Sequence, residues 1–285
     1  MRVAYVQTSP RIGDLRGNLE EAWTLIEKVR EADLVVLPEL FHSGYAVRSR
    51  DESLSLSVSR DDGGQPLLMC VDACQSFAMN IVGGFLERDD RNRLWNSAWL
   101  IGPEGIFSVY RKINLFDSEK EIFERGNELS PITRIGPMKG GRSEAARVAM
   151  AVCFDWIFPD LWGRLAWGNG DYERPTGAQV ICHPANLVIP DKCPHTIRSR
   201  AMENRIFIVT AGRVGVEDGP SGDLVFRAGS RIVSPDGTIL SAGPENSPGY
   251  DMITIDPVEA DNKYVTPRNH VLRERYGTDD GEEPS

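Results

Sequence analysis

No apolar run among the 285 residues reaches the roughly 18 that a membrane span needs. Basic runs are absent too: 32 Lys and Arg stand against 42 Asp and Glu, a formal net charge of -10. An acidic chain of this kind is a poor ligand for nucleic acid or for anionic membrane surfaces. The expected partners are therefore a small-molecule substrate and water. Met1 to Val6 runs straight into a strand, so no signal peptide is expected. The five cysteines are odd in number and scattered through apolar context, which excludes a full disulfide framework and favours reduced thiols in a cytoplasm. Cys70 with Cys74, and Cys182-His183 with Cys193 and His195, lack zinc-ribbon spacing, so neither metal nor cofactor is expected. There is no internal repeat and no linker that would split the chain.

Strand and helix signals do recur. Arg2 to Thr8 and Asp33 to Leu37 read as strands around a helix over 18–31, whose Leu19, Ala22, Leu25, Ile26 and Val29 share one face. Residues 46–63 read as a polar surface loop. A helix is predicted over 67–79 and strands over 80–86, 94–101 and 105–111, the last two joined by Gly102-Pro-Glu-Gly105. A loop with a short helix is expected over 117–126 and a mobile turn over 136–143. Strands follow at 178–183, 206–210, 230–234, 238–242 and 252–256, with a helix over 194–203 and a Gly- and Asp-rich loop over 213–224. Tight turns between several neighbours make the sheets mixed rather than wholly parallel. Two such halves, each with one face covered by helices, give an α/β four-layer αββα sandwich over 1–257. The charged segment 258–285 is expected to be an arm, partly disordered.

One stretch organises the rest. The apolar run Val148 to Val152 ends at Cys153, and a helix is predicted from Asp160 to Trp167. A buried strand thus delivers a cysteine to a turn before a helix, where an α/β protein places a nucleophile beside backbone amides. A buried cysteine is more often inert core. Other charges, however, sit at comparable places: Glu39 after the strand Leu34 to Leu37, Lys112 at the end of Ile106 to Tyr110, and Glu119 just beyond. Each alone reads as a solvated strand end. Spacing does not show that these ends meet.

The segments resemble the nitrilase superfamily of carbon–nitrogen hydrolases, with its Glu-Lys-Cys triad. Leu37-Pro-Glu-Leu-Phe-His-Ser-Gly-Tyr45, Tyr110-Arg-Lys-Ile-Asn-Leu-Phe-Asp117 and Val152-Cys-Phe-Asp-Trp-Ile-Phe-Pro-Asp160 match its three motifs in order. Later family segments match Ala178 to Leu187, Arg200 to Arg205 and Gly229 to Gly237. The resemblance implies that Cys153 is the nucleophile and Glu39 its general base. It implies that Lys112 and the backbone N–H of Phe154 hold the oxyanion, and that Glu119 positions substrate, with Glu121 as a nearby alternative. Asn114 departs from the family, many of whose members carry histidine there. The resemblance further implies a homodimer or larger even homo-oligomer joined by helices beside the site and by the C-terminal segment, with Trp162, Trp167, Tyr264 and Tyr276 as interface aromatics.

Rival readings are a Cys153–His183 hydrolase, a metal site, and a non-catalytic binding protein on the same fold. The first two leave Glu39 and Lys112 unexplained, and the third is expected to have lost a triad residue. Trp156 and Ile157 stand where N-carbamoyl amino-acid hydrolases of the family carry arginine. With Phe41, Tyr45, His183 and Asn186 they give an uncharged pocket wall. A small neutral amide is the expected substrate, with a small nitrile as the alternative.

Overall fold

The computed structural model describes residues 1–139, 144–168, 176–189, 192–219 and 222–275. The first half runs β1 (Arg2–Gln7), α1 (Leu15–Lys28), β2 (Leu34–Val36), α2 (Arg50–Leu56), β3 (Val58–Ser59), α3 (Gly64–Phe77), β4 (Asn80–Arg88), β5 (Leu94–Gly102), β6 (Gly105–Arg111) and α4 (Glu119–Ile122). The second half runs β7 (Thr133–Ile135), β8 (Ala146–Met150), α5 (Pro159–Trp167), β9 (Val180–Pro184), α6 (Cys193–Asn204), β10 (Phe207–Ala211), β11 (Val214–Gly219), β12 (Gly222–Arg227), β13 (Arg231–Val233) and β14 (Ile239–Ala242). The strand β15 (Gly249–Thr254) returns to the first half, and a short hairpin, β16 (Tyr264–Thr266) with β17 (Asn269–His270), closes the description.

Two mixed sheets form, as the alternation predicts. The first has the order β15-β1-β2-β4-β5-β6, with β3 beside β4, and the second β14-β13-β10-β9-β8-β7. The parallel strands are β1, β2, β4 and the short β3 in the first sheet and β8, β9 and β10 in the second, and the remaining strands pair antiparallel. Alternation of side chains along a strand explains why these runs are apolar throughout. Val3 and Tyr5 of β1 face the second sheet, in one core with Met150, Val180 and Ile208. Ala4 and Val6 face the other way, packing with Ala22 and Ile26 of α1 and Cys70 and Cys74 of α3. On the far side, Trp162 and Leu165 of α5 and Ile197 and Ala201 of α6 cover the second sheet. The layers are αββα, with the main core between the sheets.

Two expectations are corrected, over 46–63 and 213–224, and two further segments are added. Residues 46–63 are not merely loop: Ser49 caps α2 by accepting from the N–H of Glu52 at 3.1 Å, and the Glu52 carboxylate reaches back to the N–H of Arg48 at 2.6 Å. That is a variant of the capping box, and its Ser-x-x-Glu signature is present at 49–52. The 213–224 segment is a six-pair hairpin, β11 with β12, rather than a loop. Residues 133–135 add an edge strand that pairs with β8. Within the C-terminal arm, the described residues 258–275 include the β16–β17 hairpin. There the Lys263 ammonium, 3% exposed, donates to the carbonyls of Asn204 and Arg205 at 3.0 and 2.9 Å, tying the segment to the end of α6. Part of the predicted turn over 136–143, and the tail from Tyr276 onward, lie outside the described residues.

Candidate active site

The strand ends do meet. Glu39 leaves β2, and the chain reverses at once, with Leu40 at φ 49°. This turn presses the Glu39 backbone onto β4, where a Cβ on Gly84 would lie 2.4 Å from Glu39 Cα. Glycine is required there by contact. Lys112 follows β6, and a Cβ on Gly126 would lie 2.0 Å from the Arg111 carbonyl, so a second glycine admits that turn. Both residues come from the first sheet. Cys153 comes from the second, three residues beyond the end of β8, opening a 3₁₀ turn over Cys153–Ile157. It has φ 42°, a left-handed conformation that costs a non-glycine residue about 1–2 kcal/mol. The strained elbow projects the thiol while leaving the first N–H groups of the turn, Phe154's among them, without an intrahelical acceptor.

The charges form one buried cluster. The Lys112 Nζ donates to Glu39 Oε1 and to Glu119 Oε1, each at 2.8 Å. Asn96 Nδ2 donates to Glu39 Oε1 at 2.7 Å and to Glu119 Oε1 at 3.4 Å. Glu119 also receives the Tyr45 hydroxyl on Oε1 at 2.8 Å and the Phe116 N–H on Oε2 at 3.0 Å. Glu39, Lys112 and Glu119 are 0, 1 and 4% exposed. Glu39 Oε2 is buried without a hydrogen-bond partner among the described residues, a lone pair available to a proton. Glu121, the alternative to Glu119, is exposed.

Electrostatics follow from this geometry. Burial pushes the Glu39 carboxyl above its ordinary range, opposed by Lys112 and reinforced by Glu119. Burial opposes the Lys112 ammonium, but two carboxylates overcome it and hold the cation well into the charged range. Burial, then the Glu39 charge, raises the Cys153 thiol against the pull of Lys112. The raised thiol keeps its proton until it attacks, when that proton can pass to Glu39.

The raised Glu39 has a consequence for stability. A carboxyl whose pKa is higher folded than unfolded holds its proton more tightly in the fold. Its stabilising contribution is complete below the ordinary carboxylate pKa and is lost as pH rises through the folded value. Glu39→Gln is therefore expected to melt at a higher temperature than the parent at pH 7. The gain should shrink as pH falls from the raised folded value toward the ordinary carboxylate range, and vanish below it. A midpoint at pH 7 equal to or below the parent's would contradict the electrostatic account.

Other predicted residues separate into near and far. Trp156 and Asn186 line the narrow pocket over Cys153, together with Phe116, Phe154, Leu187, Val188 and Ile189, and none of these is charged. Asn186 donates to the Glu39 carbonyl at 2.8 Å, and its own carbonyl accepts from the thiol at 3.5 Å. Phe41 is not in the pocket: it packs edge-on against Phe85 in the outer core of the first sheet. Nor does His183 face the thiol. Its Nε2 lies 2.9 Å from the Cys153 carbonyl oxygen and its Nδ1 3.1 Å from the Thr210 hydroxyl. Burial drives it down to about 4, so it stays neutral and braces the elbow from below. Trp162 is fully buried, its indole N–H donating to the Asp155 carbonyl at 2.9 Å, and is core rather than interface.

Asp155 was the residue missed. Its carboxylate is buried and receives the Val152 N–H, the Tyr110 hydroxyl and Asn114 Nδ2 at 2.8, 2.8 and 2.7 Å. Tyr110 and Asn114 flank Lys112, so this carboxylate ties the lysine loop of one sheet to the cysteine turn of the other. Asn114 keeps a supporting contact of the elbow and does not touch the triad. The signal available in the sequence was an acidic residue in the first turn after the cysteine.

The chain is similar to several known proteins. A nitrilase from Pyrococcus abyssi is 36% identical over 277 residues, covering 96% of this chain and 97% of that protein. An (R)-stereoselective amidase from Pseudomonas sp is 29% identical, covering 95% and 93%. An amidase mutant from Nesterenkonia sp. AN1, bearing the acetamide moiety of fluoroacetamide on its active-site cysteine, shares the fold with a TM-score of 0.77 at 23% identity, covering 97% of this chain and 94% of that one. A model of the family described as carbon-nitrogen hydrolase matches residues 2–262, and the chain belongs to that family.

Proposed function

We propose that this carbon–nitrogen hydrolase cleaves the amide of a small neutral compound, releasing ammonia and a carboxylic acid through a thioester on Cys153. The observation that carries the reading is the second buried carboxylate, Glu119, which shares the Lys112 ammonium with Glu39. A nucleophile, a base and an oxyanion donor suffice to attack a nitrile or an amide. A further carboxylate acceptor suits a substrate whose nitrogen carries hydrogens from the start. The uncharged pocket lining suits a neutral substrate.

The steps balance as follows. Sulfur attacks the carbonyl carbon while its proton passes to Glu39. Lys112 Nζ and the Phe154 N–H take the oxyanion. Glu39 returns the proton to nitrogen, the carbon–nitrogen bond breaks, and ammonia leaves. Water, losing a proton to Glu39, attacks the thioester, and collapse releases the acid with the proton restored to sulfur. Glu119→Gln is expected to fold normally and to lower amide kcat/KM by on the order of tenfold or more, as a misplaced substrate would. Unchanged amide hydrolysis in that variant would remove the ground for the reading.

A second reading, nitrile hydrolysis to acid and ammonia by the same three residues, is favoured by the name of the Pyrococcus abyssi relative. Matched short-chain amides and nitriles distinguish the two by kcat/KM on the parent protein, and nitriles converted while the amides stay untouched would reverse the order.

We also propose that the protein assembles as a homodimer. Ile157 and Phe158, 43 and 38% exposed, place apolar surface beside the start of α5. Light scattering at micromolar concentration should give about twice the 31.7 kDa of one chain. A mass of one chain would refute the dimer.

A further inference from the structure

Glu119 can orient a substrate only if its own carboxylate is fixed. Part of that fixing comes from Tyr45, whose hydroxyl donates to Glu119 Oε1 at 2.8 Å. Yet Tyr45 lies on an irregular segment between β2 and α2, with no sheet or helix bonds to hold it. Its restraints come instead from the β11–β12 hairpin, about 170 residues away in sequence. Glu217 Oε2 accepts from the backbone N–H of Tyr45 at 2.9 Å and of Ala46 at 2.8 Å. The Phe226 ring meets the Tyr45 ring edge-on, centroids 5.7 Å apart. Arg213 locks this arrangement: it donates to Glu217 Oε1 and to the Pro10 carbonyl, each at 2.6 Å, and its guanidinium lies 4.2 Å over Phe226.

We propose that Arg213 and Glu217 are positioning residues for amide recognition: their ion pair clamps the Tyr45 segment and thereby aims the Glu119 carboxylate. The inference rests on the substrate-orienting role given to Glu119 above. Arg213 and Glu217 are 1 and 5% exposed. A buried ion pair is a poor way to gain stability, because apolar residues of similar volume commonly serve as well or better. What an apolar pair does not supply is a carboxylate that takes two adjacent N–H groups and sets the direction of the intervening chain. The pair touches neither the thiol nor Lys112; its direct contacts reach the site through Tyr45 and Ala46, beside a longer-range attraction between the Arg213 and Glu39 charges.

The test is a double-mutant cycle in amide kcat and KM, made from Tyr45→Phe, Glu217→Gln and their combination. Each single variant is expected to lose on the order of tenfold in kcat, with a smaller change in KM. The combination is expected to lose no more than about twofold beyond Tyr45→Phe, because contacts in one chain of action do not add. Multiplicative losses, or parent-like kcat in Glu217→Gln, would overturn the clamp. Should Glu217→Gln fold poorly, the paired replacement Arg213→Met with Glu217→Leu removes both charges together. It is expected to keep its melting temperature while losing kcat to the same extent, and full kcat would again overturn the proposal. Glu119→Gln run alongside separates the two levels. If it too retains amide turnover, the role of Glu119 has failed. If it loses turnover while Tyr45→Phe and Glu217→Gln act independently, only the clamp has failed.

Discussion

Cys153→Ala should fold like the parent and show no measurable turnover. Alanine keeps the β-carbon, so it adopts φ 42° at a cost similar to that of cysteine and leaves the elbow unchanged. What disappears is the sulfur that attacks. In the parent, iodoacetamide should inactivate in step with alkylation of Cys153, ahead of the other four thiols. Cys70, Cys74, Cys182 and Cys193 are free but sealed in the core, and burial pushes each of those thiols up. Burial and the Glu39 charge raise the Cys153 thiol as well, but Cys153 lines a pocket and has the Lys112 ammonium opposing that rise. Mass spectrometry of the partly inactivated protein reads the order of labelling. Substantial turnover by purified Cys153→Ala would end the assignment of the nucleophile.

Lys112→Ala should be at least as damaging as the loss of one oxyanion donor, about 10²–10³ in rate. Two effects combine. The donor to the developing oxyanion is removed, and Glu39 and Glu119 are left as buried carboxylates without their shared cation. Lys112 is what holds Glu39 down, so without it the base binds its proton more tightly and less of it is ionised at neutral pH. Loss of one partner from a buried pair also destabilises, so the rate must be compared on protein verified as folded by circular dichroism. Lys112→Arg should not restore activity. Its charge sits on a planar fork, which cannot place a point donor 2.8 Å from both carboxylates and on the oxyanion as well. A near-parental rate in the arginine variant would show Lys112 to be an ordinary ion pair.

Much of this site was legible in the chain. Glu39, Lys112 and Cys153 each end an apolar run, and such a run identifies its own terminus. Their convergence was not legible from spacing; it entered through the family resemblance and is now visible as distances between side chains. The residues that escaped reading depend on contacts remote in sequence. Asp155 is a lone charge in a largely aromatic turn, and its partners Tyr110 and Asn114 lie over 40 residues earlier. The β11–β12 hairpin was hidden by glycines and acids typical of loops, although Val214, Val216, Leu224 and Phe226 alternate as strand residues should. Phe41 was misplaced for the converse reason. Proximity in sequence to Glu39 says nothing about which way a side chain turns.

The base and the oxyanion lysine stand on one sheet, the nucleophile on the other, and among the described residues no strand pairing joins the two sheets at the site. Their alignment is therefore a measure of how the two sheets are docked. Asn186 reaching the Glu39 carbonyl, and Tyr110 and Asn114 reaching Asp155, act as pins across that seam. A core substitution far from the pocket that lets one sheet slide by an ångström would separate sulfur from its base while each sheet kept its hydrogen bonds. Catalytic competence in this fold is thus more fragile than secondary structure, and damage at the seam would produce a folded but silent enzyme.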